Sequence, residues 1–402
     1  MRILNVSQNY YVVGGMDRMM FEQARILEER GHEVVPFTAA DPRDQFSPWA
    51  AHFPPAAPTD RTPITELPAT LYRSSAAKAL RTLMQSEAFD VVHLHSWYKR
   101  LSPAILPVLR DAGVPVVQTL HEYRSVCSRS TMFRDGEICR DCAGGRHWPA
   151  IVHRCNGSVA KTLASVAEMT IADQLGYRTV VQRFLPVSDF QRGLLIEMGM
   201  QDGQMRTLPN PVRMPDEALQ ASDDTVGCVL FVGRLESYKG VDVFMDLVRG
   251  RPDVGFAMAG DGSARTSIEA AHLANLAILG QLNEADLLSA IRSAACVVVP
   301  SLWPEAFGLT AVEAMAAGTP IIASRTGGLT EIVRDGTDGY LVDPGDRDGF
   351  ITAIDQILGD PARARAMGKA GRARAAEAFS EDRFYARLMA IYGEVIAEGT
   401  PQ

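Results

Sequence analysis

Two doubly wound α/β domains are the architecture this 402-residue chain predicts. Three observations carry that expectation. Short apolar runs alternate with helix-period patterns along the whole chain. Most runs are continuous rather than alternating, as in parallel strands covered on both faces. The length fits two ordinary domains, and 47% hydrophobic against 22% charged residues leaves enough apolar material for two cores. Ile3-Leu4-Asn5-Val6 opens the series with a strand at 2–7, followed by strands at 33–38, 90–94, 115–120 and 184–187. A second series is expected at 227–232, 254–259, 275–279, 296–300, 320–323 and 339–342. Helical periodicity falls between them at 16–30, 74–85, 103–112, 189–198, 241–248, 284–294 and 309–317, and a last helix is expected over 380–398. Two stretches break the rhythm: the proline-rich 39–70, read as a surface loop, and 122–156, rich in Arg, Cys and Gly. The Pro-bearing polar stretch 209–224 reads as the link between sheets, giving domains 1–210 and 211–380 with a terminal helical segment 381–402.

Net charge is −8 but uneven: residues 1–210 carry 23 Lys/Arg against 21 Asp/Glu, and the remainder 17 against 27. The basic excess lies in 99–161, which suits an anionic acceptor or an anionic membrane surface as well as plain surface charge. No run approaches the roughly 18 apolar residues of a membrane span, and the first strand lacks the apolar core of a secretory signal. The expectation is a cytoplasmic protein, soluble or peripheral on the inner face of the membrane. Asn156-Gly157-Ser158 matches a glycosylation sequon by spacing, which has no consequence in that compartment.

The chemistry concentrates after the strand at 296–300. Glu305 and Glu313 lie in Ser301-Leu302-Trp303-Pro304-Glu305-Ala306-Phe307-Gly308-Leu309-Thr310-Ala311-Val312-Glu313. Pro304, Phe307 and Gly308 make a sharp loop, and a helix starts near Leu309. The unpaired N–H groups of such a start favour an anion such as phosphate. Taken alone, two glutamates at this spacing are ordinary solvated residues. Their context is Phe231-Val232-Gly233-Arg234-Leu235-Glu236-Ser237-Tyr238-Lys239-Gly240 upstream and Gly318-Thr319-Pro320-Ile321-Ile322-Ala323-Ser324, Gly327-Gly328 and Glu331 downstream. Together these motifs resemble the nucleotide-binding half of the retaining glycosyltransferases of family 4, and the resemblance runs from Gly14-Gly15 to the last helices.

That resemblance implies the GT-B fold, with an acceptor-binding domain, a nucleotide-sugar-binding domain and a last helix crossing back to the first. It implies transfer of a hexose from a UDP- or GDP-sugar to a glycan, a lipid-linked or a small-molecule acceptor, as in polysaccharide biosynthesis, without a diphosphate-bound metal. Arg234 and Lys239 would neutralise the pyrophosphate; a cation at a helix start is otherwise disfavoured by the helix dipole. Glu313 would hold the ribose and Glu305 the donor sugar. Phe307, Gly308 and Leu309 would offer backbone N–H groups, and Thr310 a hydroxyl. Gly14 and Gly15 would close over the donor phosphates. The backbone at Gln281 and Leu282, after Gly280, would read the base edge, and Gly260-Asp261-Gly262 reads as a tight turn. His121 would sit near the donor sugar; the family often has His-Asp where this chain has His121-Glu122. With no evident covalent nucleophile, the expected mechanism is front-face attack, with Glu305, His121, Arg234 and Lys239 as the catalytic group. Two other readings share these features: a nucleotide-sugar epimerase of the same fold, and a non-catalytic nucleotide-sugar-binding protein. Neither reading, nor the transferase, involves nucleic acid.

Cys127, Cys139, Cys142 and Cys155 cluster in the irregular stretch, whereas Cys228 and Cys296 fall in or beside core strands and read as inert apolar residues. Structural disulfides are not expected in the cytoplasm. Four thiolates would suit tetrahedral zinc, an iron–sulfur cluster, or no metal at all.

Overall fold

A computed structural model describes residues 1–55, 71–215 and 227–399. Two parallel sheets form, each covered by helices. The first has the order β2-β1-β3-β4-β7, from β1 (Arg2–Val6), β2 (Glu33–Phe37), β3 (Val91–Leu94), β4 (Val116–Leu120) and β7 (Arg183–Pro186). The intervening β5 (Phe133–Arg134) and β6 (Glu137–Ile138) pair only with each other. The second has the order β10-β9-β8-β11-β12-β13, from β8 (Val229–Val232), β9 (Phe256–Ala259), β10 (Leu276–Gly280), β11 (Cys296–Val299), β12 (Ile321–Ser324) and β13 (Gly339–Val342). Both are doubly wound, as the continuous apolar runs require: Val297, Val298, Ile321 and Ile322 are fully buried.

The last helix, Glu381–Glu398, leaves the second sheet and lies on the first. Phe384, Leu388, Ile391, Tyr392 and Val395 pack with Ile3, Ile26, Val91 and Leu185. Burying five such side chains contributes roughly 1.5–3 kcal/mol each, the main force that docks the helix on this sheet. Ion pairs Arg25–Glu381 and Arg183–Glu394, at 2.5 and 2.9 Å, set its register. The chain crosses between sheets twice, and the crossings touch: Val212 N donates to Phe379 O at 2.8 Å.

Several features depart from the sequence expectations, among them helix Arg347–Gly359, which is absent from the expected series although it buries Phe350, Ala353, Ile354 and Ile357. Helices Val159–Gln174 and Pro361–Ala378 show no apolar stripe, for different reasons. The first buries a partly polar face, Thr162, Ser165 and Glu168 with Met169. The second presents Gly368, Gly371 and Ala375 to the Leu309–Ala317 helix; a Cβ on Gly368 would lie 2.0 Å from Gly318 O. The 122–156 stretch is not wholly irregular: Asp135-Gly136, both at positive φ, turn the β5–β6 hairpin. Of the expected loop 39–70 and link 209–224, residues 56–70 and 216–226 lie outside the described residues. No helix among the described residues is long and apolar enough to cross a membrane.

Candidate active site

Parallel strands present their C-terminal ends on one edge of a sheet, so the loops after β8, β9, β10 and β11 share an edge. Arg234 and Lys239 follow β8, Gln281 and half-buried Leu282 follow β10, and Glu305 follows β11. Lys239 ends a single 3-10 turn, Ser237–Lys239, and Gly240 then takes a left-handed conformation, φ 78°, to start the next helix. That turn aims Lys239 at Glu305: Nζ lies 2.7 and 3.0 Å from the two carboxylate oxygens. Ser301 Oγ donates to Glu305 Oε1 at 2.6 Å. The carboxylate is 6% exposed yet fully partnered, so burial does not leave it uncompensated. Lys239 Nζ also sits 4.7 Å from the centre of the Trp303 ring.

The glycines behind Glu305 are steric. A Cβ on Gly327, at φ 58°, would lie 2.3 Å from Glu305 N, and Gly328 N donates to Glu305 O at 2.7 Å. Gly308, at φ 125°, begins helix Leu309–Ala317, and no side chain caps that end. Phe307 is buried, Leu309 is half-buried, and Thr310 Oγ1 donates to Val232 O at 3.3 Å. Gly260 and Gly262 lie against the backbone of Gly233 and Leu235, so Gly260-Asp261-Gly262 makes a packed turn.

The first domain closes the cleft. Gly15 faces Leu309, with its ideal Cβ position 2.8 Å from Leu309 Cδ1, whereas Gly14 faces open space. Arg18, in the first turn of helix Gly15–Glu28, pairs with Glu313. Burial raises the Glu313 carboxyl above its ordinary value, and Arg18 opposes the rise. Tyr123 Oη donates to Pro304 O at 2.9 Å, Ser188 Oγ to Ala306 O at 2.6 Å, and Asp189 N to Glu331 Oε2 at 3.0 Å. Arg234 is exposed and makes no hydrogen bond or ion pair among the described residues; burial raises the Glu122 carboxyl, and Arg124, Lys99 and, least, Arg234 oppose the rise.

His121 directly follows β4 and lines a small, water-sized crevice with Met16, Glu122 and Arg124. Its Nε2 is 3.0 Å from His95 Nδ1, and the His95 ring stacks in turn on His93, centroids 4.6 Å apart. Tyr392 of the last helix reaches His93 Nδ1 at 2.7 Å. Burial lowers all three imidazoles, His121 to about 4 and His93 to about 3. The folded values lie below the unfolded ones, so the unfolded chain binds more protons from about pH 6.5 down to about 3, and this contribution to stability is lost as pH falls through that window. At pH 5.5, histidine nitrogen NMR is expected to show His121 still neutral; an imidazolium signature would mean a solvated ring.

The motifs thus bring Lys239, Glu305, the Leu309 helix start and the Gly14-Gly15 loop together, and Glu313 faces Arg18 rather than solvent. Gln281 is exposed at the sheet edge. Sequence reasoning missed Arg18, Tyr123, His93 and His95. Two signals existed: His-x-His on a strand puts both rings on one face, and Arg18 is a cation at a helix start, the oddity that marked Lys239. The four clustered cysteines are free and half-buried, and Cys142 is pushed up to about 11 by burial and by its three neighbouring sulfurs. Among the described residues no three His, Cys, Asp or Glu side chains stand in a metal-holding arrangement. Cys296 is fully buried, and burial raises its thiol to about 12, in keeping with an inert core residue.

Comparison with known proteins adds the following. Residues 14–211 match the glycosyl transferase 4-like domain model and 216–374 the glycosyl transferases group 1 model. A D-inositol 3-phosphate glycosyltransferase 1 of Catenulispora acidiphila is 30% identical, over 96% of this chain and 92% of that protein. An alpha-maltose-1-phosphate synthase of Mycolicibacterium smegmatis is 29% identical over 85% of this chain and 89% of its own length. Among solved structures, sucrose-phosphate synthase from Thermosynechococcus elongatus superposes with a TM-score of 0.75 at 22% identity, covering 99% of both chains. Anabaena HepE in complex with UDP and glucose gives 0.65 at 16% identity, covering 98% and 99%.

Proposed function

Because the chain belongs to the family 4 glycosyltransferases, with the two-domain GT-B fold, we propose that it moves a hexose from a nucleoside-diphosphate sugar, UDP-hexose first, to an acceptor hydroxyl with retention of configuration. The single observation that carries this reading is the buried Lys239–Glu305–Ser301 cluster beside an uncapped helix start. UDP is favoured over GDP because HepE, of the same fold, is described with UDP and glucose. The acceptor is a glycan, a lipid-linked sugar or a small molecule, approaching through the cleft between the two domains.

In this reading the diphosphate lies at the Leu309 helix start, where N–H dipoles stabilise the charge that grows on the leaving group. Lys239 and exposed Arg234 neutralise it. Glu305 grips donor hydroxyls, and Glu313 exchanges Arg18 for the ribose. The acceptor oxygen bonds to the anomeric carbon on the face that the phosphate leaves. The C–O bond to phosphate breaks with its electron pair going to phosphate oxygen, which takes the acceptor's proton. His121, neutral and held by His95, orients the sugar.

The test is a thermal-shift panel of UDP, GDP, ADP and TDP with their hexoses, followed by anomeric NMR of the product on acceptor. A selective shift with UDP compounds and a retained anomer are expected. Isomerised nucleotide sugar without acceptor would point to an epimerase instead. Tight binding without turnover on any acceptor would point to a binding protein.

A further inference from the structure

Cys127, Cys139, Cys142 and Cys155 take no part in the chemistry above, yet the fold draws them together from a span of nearly thirty residues. Asn156 Nδ2 donates to Ser128 O at 3.0 Å, which sets Cys155 beside Cys127. Cys139 N donates to Met132 O at 2.8 Å at the foot of the β5–β6 hairpin. Arg134 pairs with Asp141 at 2.9 Å, bringing the residue before Cys142 onto that hairpin. Cys155 N donates to Ala150 O at 3.1 Å, and Ala143, next to Cys142, donates its N–H to Arg140 O at 3.0 Å.

The backbone around them is strained. Besides the hairpin turn at Asp135, Ser130, Met132 and Arg154 are non-glycine residues at positive φ, 48 to 70°. Each costs of order 1–3 kcal/mol and persists only where the surroundings over-determine it. The segment's regular pairing is one hairpin of two-residue strands, and its cysteines are only half-buried. Val126 and Met132 anchor one side of the segment in the core, and a cross-link among the half-buried cysteines would hold the rest.

We propose that the four cysteines hold one structural zinc ion in an all-sulfur tetrahedral site. The close Cys139–Cys142 pair has the two-residue spacing of a zinc knuckle, and the other two cysteines lie in the turns that flank it. Binding requires the side chains to rotate inward, because no ligand arrangement is preformed. The consequence reaches the cleft: Cys127 N donates to Tyr123 O at 2.8 Å and Tyr123 N to Ser130 O at 3.1 Å. The ion therefore fixes the turn that carries Tyr123, whose hydroxyl holds Pro304 beside Glu305. Tyr123 is a positioning residue, and only this last step rests on the transferase reading.

Elemental analysis of protein purified under reducing conditions without chelator is expected to find about one zinc per chain. Cys142→Ser and Cys155→Ser should each lose most of it, while Cys228→Ser keeps it. If those variants do not fold, chelator-stripped wild-type protein serves: adding zinc chloride should slow proteolysis within 127–155 by roughly tenfold or more. Iron with acid-labile sulfide would overturn zinc in favour of a cluster. Four thiols that titrate freely in the native, zinc-supplemented protein, or disulfides among them, would overturn the metal site altogether. Failure of the nucleotide panel with zinc still bound would sink the transferase reading alone.

Discussion

Glu305→Gln is expected to lower turnover by about 10²–10³-fold while leaving UDP affinity nearly unchanged. The reasoning starts from burial. Glu305 is 6% exposed and accepts from Lys239 and Ser301, so its charge is compensated at rest. Glutamine keeps the shape and can still accept from Ser301, so the fold survives. It removes the negative charge beside a sugar that becomes positive in an oxocarbenium-like transition state, when that charge is most valuable. Lys239→Ala makes the contrast. It takes a cation from the diphosphate and leaves Glu305 buried without its main partner, so UDP affinity should fall by about 1–3 kcal/mol. Calorimetry with UDP, paired with initial rates on UDP-hexose, separates the two. Equal loss of binding in both variants would mean that the diphosphate does not lie against Lys239.

The two sheets were legible because parallel strands are continuous apolar runs, and each of the runs read as a strand is one. A large apolar stripe made some helices legible, as in Val241–Gly250 with Val241, Phe244, Met245 and Val248, though Arg347–Gly359, with buried Phe350, Ile354 and Ile357, was missed all the same. They were hidden where packing uses glycine and alanine, as in Pro361–Ala378, because a close helix contact removes the side chains that make a period. The site divides in the same way. Residues within one motif, such as Lys239 or Glu305, can be placed by their loop. Arg18–Glu313 and Tyr123–Pro304 join residues 295 and 181 positions apart. No local pattern encodes such pairs; they follow from how the two domains face each other.

Gly240→Ala is expected to destabilise the second domain by about 3 kcal/mol or more and to abolish turnover in whatever remains folded. Two costs add. Gly240 sits at φ 78°, where an L-residue loses roughly 1–2 kcal/mol. Its ideal Cβ would also lie 1.8 Å from Pro300 O, the backbone leaving β11, so no rotamer change relieves the clash and the turn must move. For a domain of this size, each kcal/mol lowers the melting temperature by roughly 2–4 °C. The moved turn carries Lys239 on one side, and Pro300 leads into Ser301 and Glu305 on the other, so the same displacement opens the ion pair. Gly136→Ala is the control. It has a similar φ, 86°, but its Cβ would meet nothing within 4 Å, so it isolates the conformational cost alone. Scanning calorimetry of both variants should show the larger drop at Gly240. Equal drops would mean that the β8 turn does not rest on the exit of β11, and the placement of Lys239 against Glu305 would fall with it.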